Sequence, residues 1–162
     1  MMVRCRLFLL IFFLFFWKGF FLQAQSKADN VCGLYYAADP RNGEGSQILI
    51  YKTASGKYEG KVVWMQYPNH PNGMPRCDVK NPDPNKRNQT NVGLVIIKGF
   101  IYNEKENQWQ NGTVYNPASG NIYRSYMWLE SDGNVLKVRG YLGFSLLGKT
   151  VSWIRETEQK KN

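Results

Sequence analysis

The sequence has one histidine, three cysteines without a C-x-x-C pair, and no Lys/Arg block longer than Lys86-Arg87 or Lys160-Lys161. His70 stands alone in the turn-rich run Pro68-Asn69-His70-Pro71-Asn72-Gly73. Metal or general-base work by histidine usually needs a second ligand or a paired nucleophile, so His70 reads as a solvated loop residue. The missing C-x-x-C spacing excludes a thioredoxin-like redox centre. The scattered basic residues fall short of the concentrated stripe that nucleic acid requires. After residue 30 there is no sustained 3.6-residue apolar stripe, which argues against a helical bundle. Apolar and aromatic residues are plentiful, at 43% and 15% of 162 residues. That is enough for one packed core and too much for a disordered chain.

Residues 1–24 have the layout of a secretory signal. Arg4 and Arg6 precede the apolar run Leu7 to Trp17, and a polar, small-residue stretch follows at Gln23-Ala24-Gln25-Ser26. Cleavage is expected after Ala24, with the bond after Ala28 as second choice. Lys18 ends the run well short of the ~20 apolar residues of a membrane span, which favours cleavage over an anchor. Cys32 follows Asp29-Asn30-Val31, without the small-residue pattern of a lipid-attachment site, and Cys5 precedes the run. The expectation is an exported chain, 25–162, in the periplasm or outside the cell, with no stable membrane insertion. Of 21 Lys+Arg, Arg4, Arg6 and Lys18 fall in the signal, leaving 18 against 12 Asp+Glu. A dispersed net charge of +6 implies weak attraction to anionic envelope surfaces. Cleavage leaves Cys32 and Cys77. Two separate thiols are one reading; a Cys32–Cys77 disulfide is the other, and an oxidising compartment favours it.

The apolar stretches are short, β-branched or aromatic, and bounded by Gly, Asn, Asp or Pro, which is the strand signature. Strands are predicted near 32–38, 46–52, 57–66, 92–102, 108–115, 121–130, 134–142 and 149–156. A short turn near 27–31 and a frayed tail over Glu156–Asn162 lie outside the pattern. Alternation places Tyr58, Gly60, Val62 and Trp64 inward on the third strand. By the same rule Tyr123, Ser125, Met127 and Leu129 face inward on the sixth, and Leu136, Val138, Gly140 and Leu142 on the seventh. Eight antiparallel strands joined mainly by tight turns lose their exposed edges by closing into an up-and-down barrel over about residues 31–156. A two-sheet sandwich is the alternative. Residues 67–91 hold five of the seven prolines and no periodicity. Connections this long are usually lids or binding loops, and this one would cover a barrel mouth.

Several stretches resemble a bacterial domain-of-unknown-function family, number 2147, of small exported proteins. They include Val31-Cys32-Gly33-Leu34-Tyr35, Gly60-Lys61-Val62-Val63-Trp64 and Asn81-Pro82-Asp83-Pro84 with Lys86-Arg87-Asn88. They continue through Gly112-Thr113-Val114-Tyr115-Asn116-Pro117 to the run Leu136 to Thr150, then Trp153 and Arg155. The resemblance implies an all-β, lipocalin-like (calycin) barrel and no activity, since the family has none assigned. Tyr35 stands where the family usually has Trp, and Lys149 where it usually has Arg.

Chemistry-bearing residues are sparse. Asp78, Asn81, Asp83 and Asn85 crowd oxygen ligands together, but Pro82 and Pro84 sit where a calcium loop needs its glycine turn, and Asx turns explain the run. Glu59, Glu130 and Asp132 fall at outward or turn positions rather than in one cleft. Ser145 lacks nucleophile-elbow spacing. The sequons Asn88-Gln89-Thr90 and Asn111-Gly112-Thr113 read as turn residues. No catalytic set, metal site or cofactor is therefore expected. Among the aromatics, Trp64, Tyr123 and Trp128 either line a cavity or fill a small core. The candidate ligand-binding lining is Val62, Trp64, Tyr123, Met127 and Val138. Binding of a small apolar or amphipathic molecule is the leading reading. A non-catalytic envelope interaction protein is the alternative, with no protein partner identified by the sequence.

Overall fold

The computed structural model describes residues 26–143 and 147–161. The expected signal 1–24, Cys5 and Ser145 lie outside the described residues. Eight antiparallel strands follow one another around a closed barrel: β1 (Gly33–Ala38), β2 (Gly45–Lys52), β3 (Tyr58–Met65), β4 (Val95–Asn103), β5 (Gln108–Asn116), β6 (Asn121–Leu129), β7 (Val135–Tyr141) and β8 (Gly148–Glu156). Closure is made by β1 against β8, with Leu34, Tyr35 and Tyr36 opposite Glu156, Arg155 and Ile154. The barrel replaces the sandwich alternative because this pairing leaves the sheet no free edge.

Alternation selects the interior. Ile48 and Ile50 of β2, Tyr58 and Val62 of β3, Met127 of β6, Leu136 and Val138 of β7 and Trp153 of β8 share one buried cluster. Several bulges disturb the two-residue period. On β4 and β5, Gly99 and Asn111 adopt positive φ, and each absorbs one extra residue. Ile97 and Phe100, three apart, therefore both reach the core, as do Trp109 and Gly112. A methyl group on Gly112 would lie 2.0 Å from the Phe100 ring, so the glycine is the seat for that ring.

The bulge on β3 corrects an expectation. Ile48 pairs with Val62 but Gln47 pairs with Trp64, so an extra residue intervenes and Trp64 emerges on the outer face beside Gln47. Its indole Nε1 donates to the Lys161 carbonyl at 3.1 Å. Trp64 is therefore not part of the lining. Trp128 is also outside, one residue on from the inward Met127, and stacks on Tyr126 with centroids 5.7 Å apart. Leu142, expected inward, lies beyond the end of β7 and is 62% exposed.

One end of the barrel is closed by a 3₁₀ turn, Lys27–Val31. Irregular backbone on a core must have its polar groups paired, and here side chains do it. Trp109 Nε1 donates to the Ala28 carbonyl at 3.0 Å and the Tyr35 hydroxyl to Val31 at 3.0 Å. Arg155 donates to Asn30, Cys32 and Gly133 at 2.6, 3.0 and 2.9 Å. Its guanidinium also lies 4.7 Å from the centroid of the Tyr35 ring, a cation–π contact. Burial pushes the Tyr35 phenol up to about 12, against the opposing pull of Arg155. Asp29 accepts from Tyr58 at 2.6 Å and Lys52 at 2.8 Å, and those bonds hold its carboxyl below the usual range.

The expected Cys32–Cys77 disulfide is not formed; both thiols are free. Cys32 precedes β1 at the closed end, whereas Cys77 follows β3 at the other. An eight-residue strand such as β3 spans ~25 Å, far beyond the ~7 Å between bridged Cα atoms.

Two outcomes follow. Arg155→Ala removes the donor to three exposed or part-buried carbonyls and should lower the unfolding free energy by about 2 kcal/mol, seen as a lower urea midpoint at unchanged m. Arg155→Lys should recover only part, because one ammonium cannot fork to three carbonyls. Alkylation of the unreduced, unfolded protein should modify both Cys32 and Cys77 in peptide mass maps, and an intact Cys32–Cys77 cross-linked peptide would refute the placement at opposite ends.

Candidate functional site: the open half of the barrel

Burial of the inward-facing residues is graded along the barrel axis. Toward the closed end Tyr35, Phe100, Met127 and Leu136 are fully buried, and Trp109 is 2% exposed. These rings and long chains fill the interior, with Tyr58 and Tyr102 edge-on and tilted against Trp109. Toward the other end the inward positions are only half-buried. Ala37 pairs with Ser46, Met65 with Ser46, Val114 with Tyr123 and Val151 with Val138. Ala37, Ser46, Met65, Val114, Tyr123 and Val151 are all partly accessible. Gly140 and Ser125 face each other below Tyr123, and a methyl on Gly140 would approach the Tyr123 Cβ at 3.3 Å. The interior is therefore packed at the closed end, and its inward residues at the other end are partly accessible.

Of the residues singled out from sequence, Val62, Met127 and Val138 are buried in the floor and wall. Tyr123 is half-buried at the mouth, and Trp64 is outside. Alternation alone did not reveal Ala37, Ser46, Met65 and Val151 as the partly accessible end of the interior. For Ala37, Ser46 and Val151 the signal available was small size relative to Tyr35, Ile50 and Trp153 on the same strands.

The proline-rich connection 66–94 is fixed along the rim of the open end. Gln66 exchanges hydrogen bonds with Gly45, its backbone N–H donating to the Gly45 carbonyl at 2.9 Å and its Oε1 accepting from the Gly45 N–H at 3.0 Å. Arg76 pairs with Glu44 of the β1–β2 turn at 2.8 Å. Bridges Asn69–Pro75 and Cys77–Thr90 hold the connection to itself. Its anchor is Asp78, fully buried, whose carboxylate accepts from Tyr115 of β5 and from Asn81, both at 2.6 Å. Burial, then this bond, raise the Tyr115 phenol above its ordinary range. Beyond Asp78 the backbone passes Gly120, where a methyl would sit 2.2 Å from the Lys80 carbonyl. Only glycine, at φ +76°, permits that approach.

The oxygen-rich run Asp78 to Asn85 spends its side chains locally. Asn81 Oδ1 accepts from the Asp83 N–H and Asp83 Oδ1 from the Asn85 N–H, at 2.9 and 3.1 Å, the Asx-turn arrangement. Among the described residues no group of three or more His, Cys, Asp or Glu is placed to hold a metal ion. His70 is exposed in its turn, its N–H donating to the Met74 carbonyl at 2.8 Å. No helix of the described residues is long and apolar enough to cross a membrane.

This geometry, a closed eight-stranded sheet plugged at one end, defines a lipocalin-like barrel. The structure of protein HP1028 from the human pathogen Helicobacter pylori, described as belonging to the lipocalin family, superposes with a TM-score of 0.66 at 22% identity, over 78% of this chain and 83% of that one. The profile of the family described as "Uncharacterized protein conserved in bacteria (DUF2147)" matches residues 33–155, and the chain belongs to that family. No curated protein matches it.

The anchor of the connection is testable. Asp78→Ala removes the acceptor for two buried donors and should cost about 2 kcal/mol. Cleavage by trypsin within 76–87 should accelerate while the barrel remains folded by circular dichroism.

Proposed function

We propose that this protein is an exported, non-catalytic binding module that holds a small apolar or amphipathic molecule in the open half of its barrel. The observation that carries this reading is the graded burial of the interior: Ala37, Val114, Tyr123 and Val151 face inward yet stay partly accessible, above a cluster of buried side chains. Apolar area left accessible inside a rigid wall is stabilised when a ligand covers it, at ~25 cal/mol per Å². A wall already shaped before binding also avoids ordering costs.

A second reading has its own observation. The outer face of β6 and β7 carries Tyr126, Trp128 and Tyr141 among Arg124, Lys137 and Arg139, paired across the strands. Alternating rings and cations suit an anionic envelope surface.

Native mass spectrometry of the protein taken from its exporting host, with organic extraction, distinguishes the two. The binding reading expects a stoichiometric apolar adduct that Ala37→Phe and Val151→Phe weaken about tenfold, a 1.4 kcal/mol effect. An empty barrel that sediments with anionic vesicles, and loses this with Trp128→Ser, would replace it with the second reading.

A further inference from the structure

Gln47 is fully buried although strand alternation puts it on the outside of the barrel, opposite in sense to Ile48. What covers it is the segment 157–161, which leaves β8 and crosses the outer faces of β1, β2 and β3. The tail is therefore not frayed but held, and the manner of holding is specific. The Gln47 amide donates to the Glu158 carbonyl at 3.0 Å and accepts from the Lys160 N–H at 2.8 Å. By giving one hydrogen bond and taking another, the amide reads the tail backbone on either side of Gln159. The same amide nitrogen also donates to the Glu156 carboxylate. Trp64 Nε1 donates to the Lys161 carbonyl, and Gln159 reaches the carbonyl of Val63 at the bulge, at 3.4 Å. The Lys160 ammonium lies 4.2 Å from the Tyr36 ring centroid and 5.1 Å from that of Trp64, and 2.9 Å from Glu156 Oε1.

Two features separate this arrangement from a simple covering strap. The segment Thr157-Glu158-Gln159-Lys160-Lys161 contains no apolar side chain and its residues are exposed, so detaching it costs little apolar burial. The surface it leaves behind is richer: the Gln47 amide, the Tyr36 and Trp64 rings and the Glu156 carboxylate, all of which the tail engages. What this surface reads is extended backbone plus one ammonium, the elements of peptide recognition with one side-chain pocket.

We propose that Tyr36, Gln47, Trp64 and Glu156 form a recognition site for an extended, lysine-bearing peptide segment of a partner chain, and that residues 157–161 occupy it in cis. The site lies outside the barrel and does not depend on the ligand proposed for the interior. Its tether gives the tail a millimolar effective concentration, so a partner segment engages only by outcompeting it, or after the tail is removed.

The test uses a chain ending at Glu156 and a synthetic, end-blocked peptide of residues 157–162, followed by the Trp64 indole N–H resonance. The expected result is a saturable shift, weakened at least about tenfold by Lys160→Ala in the peptide or Gln47→Ala in the protein. The full-length chain should bind the same peptide about a hundredfold more weakly, through competition by its own tail. If the shortened chain does not fold, full-length Lys160→Glu, whose tail carries the wrong charge for the cage, serves as acceptor and should saturate likewise. A folded acceptor with no saturable shift, or binding indifferent to both Lys160 and Gln47, overturns the proposal.

Discussion

The closed end of the barrel is drawn together by one guanidinium that satisfies backbone carbonyls from three separate segments. Arg155 forks to Asn30, Cys32 and Gly133 while lying over Tyr35. Through these bonds the last strand, the first strand, the 3₁₀ turn before it and the β6–β7 turn are held at one point. A turn laid across a core without such partners would bury orphan carbonyls at 1–3 kcal/mol each. With them, Val31 can be buried completely and the floor can be dry. Tyr58 and Trp109 complete the arrangement from the opposite wall, each using its polar atom on the same turn and its ring on the core.

The rest of the molecule divides around this fixed floor. On several strands side chains grow smaller away from Arg155, from Tyr35 to Ala37, Ile50 to Ser46 and Trp153 to Val151, and the inward residues become partly accessible there. The same end carries the long proline-rich connection, whose order comes from a buried carboxylate rather than from apolar contact. A DUF2147 chain thereby keeps the lipocalin-like plan, one sealed end and one accessible end, with a rim feature built on Asp78, Tyr115 and Gly120.

Much of the fold was legible in the residues. The strand count, the antiparallel meander, its closure and the inward set of β7 followed from alternation and turn chemistry, because a half-buried strand must repeat every two residues. Trp64 was misplaced because its bulge falls within Lys61-Val62-Val63-Trp64, where no glycine or asparagine marks an extra residue. The bulges at Gly99 and Asn111, by contrast, carry such a mark. The cysteine pairing was wrong for a reason available from the strand order itself: with three strands between them in an up-and-down meander, Cys32 and Cys77 must lie at opposite ends. The accessible end was only partly readable, since size gradients along several strands become a shape only when the register is known. Gln47 gave no sign at all. A glutamine at an outward strand position is ordinary, and its burial depends on a polar tail more than a hundred residues away.

Joining the floor through Arg155 also sets an order of events in time. The residues that meet there, Asn30 to Tyr35 and Arg155, are separated by nearly the whole barrel sequence, so the seal is among the most non-local contacts the chain can make. A polypeptide emerging residue by residue cannot complete it until β8 is free, and until then β1 presents an unpaired edge and an unfilled floor. Such a chain stays threadable for as long as its last strand is withheld. Folding into the barrel then follows release of the whole strand set, at the slow rates that long-range β pairing imposes.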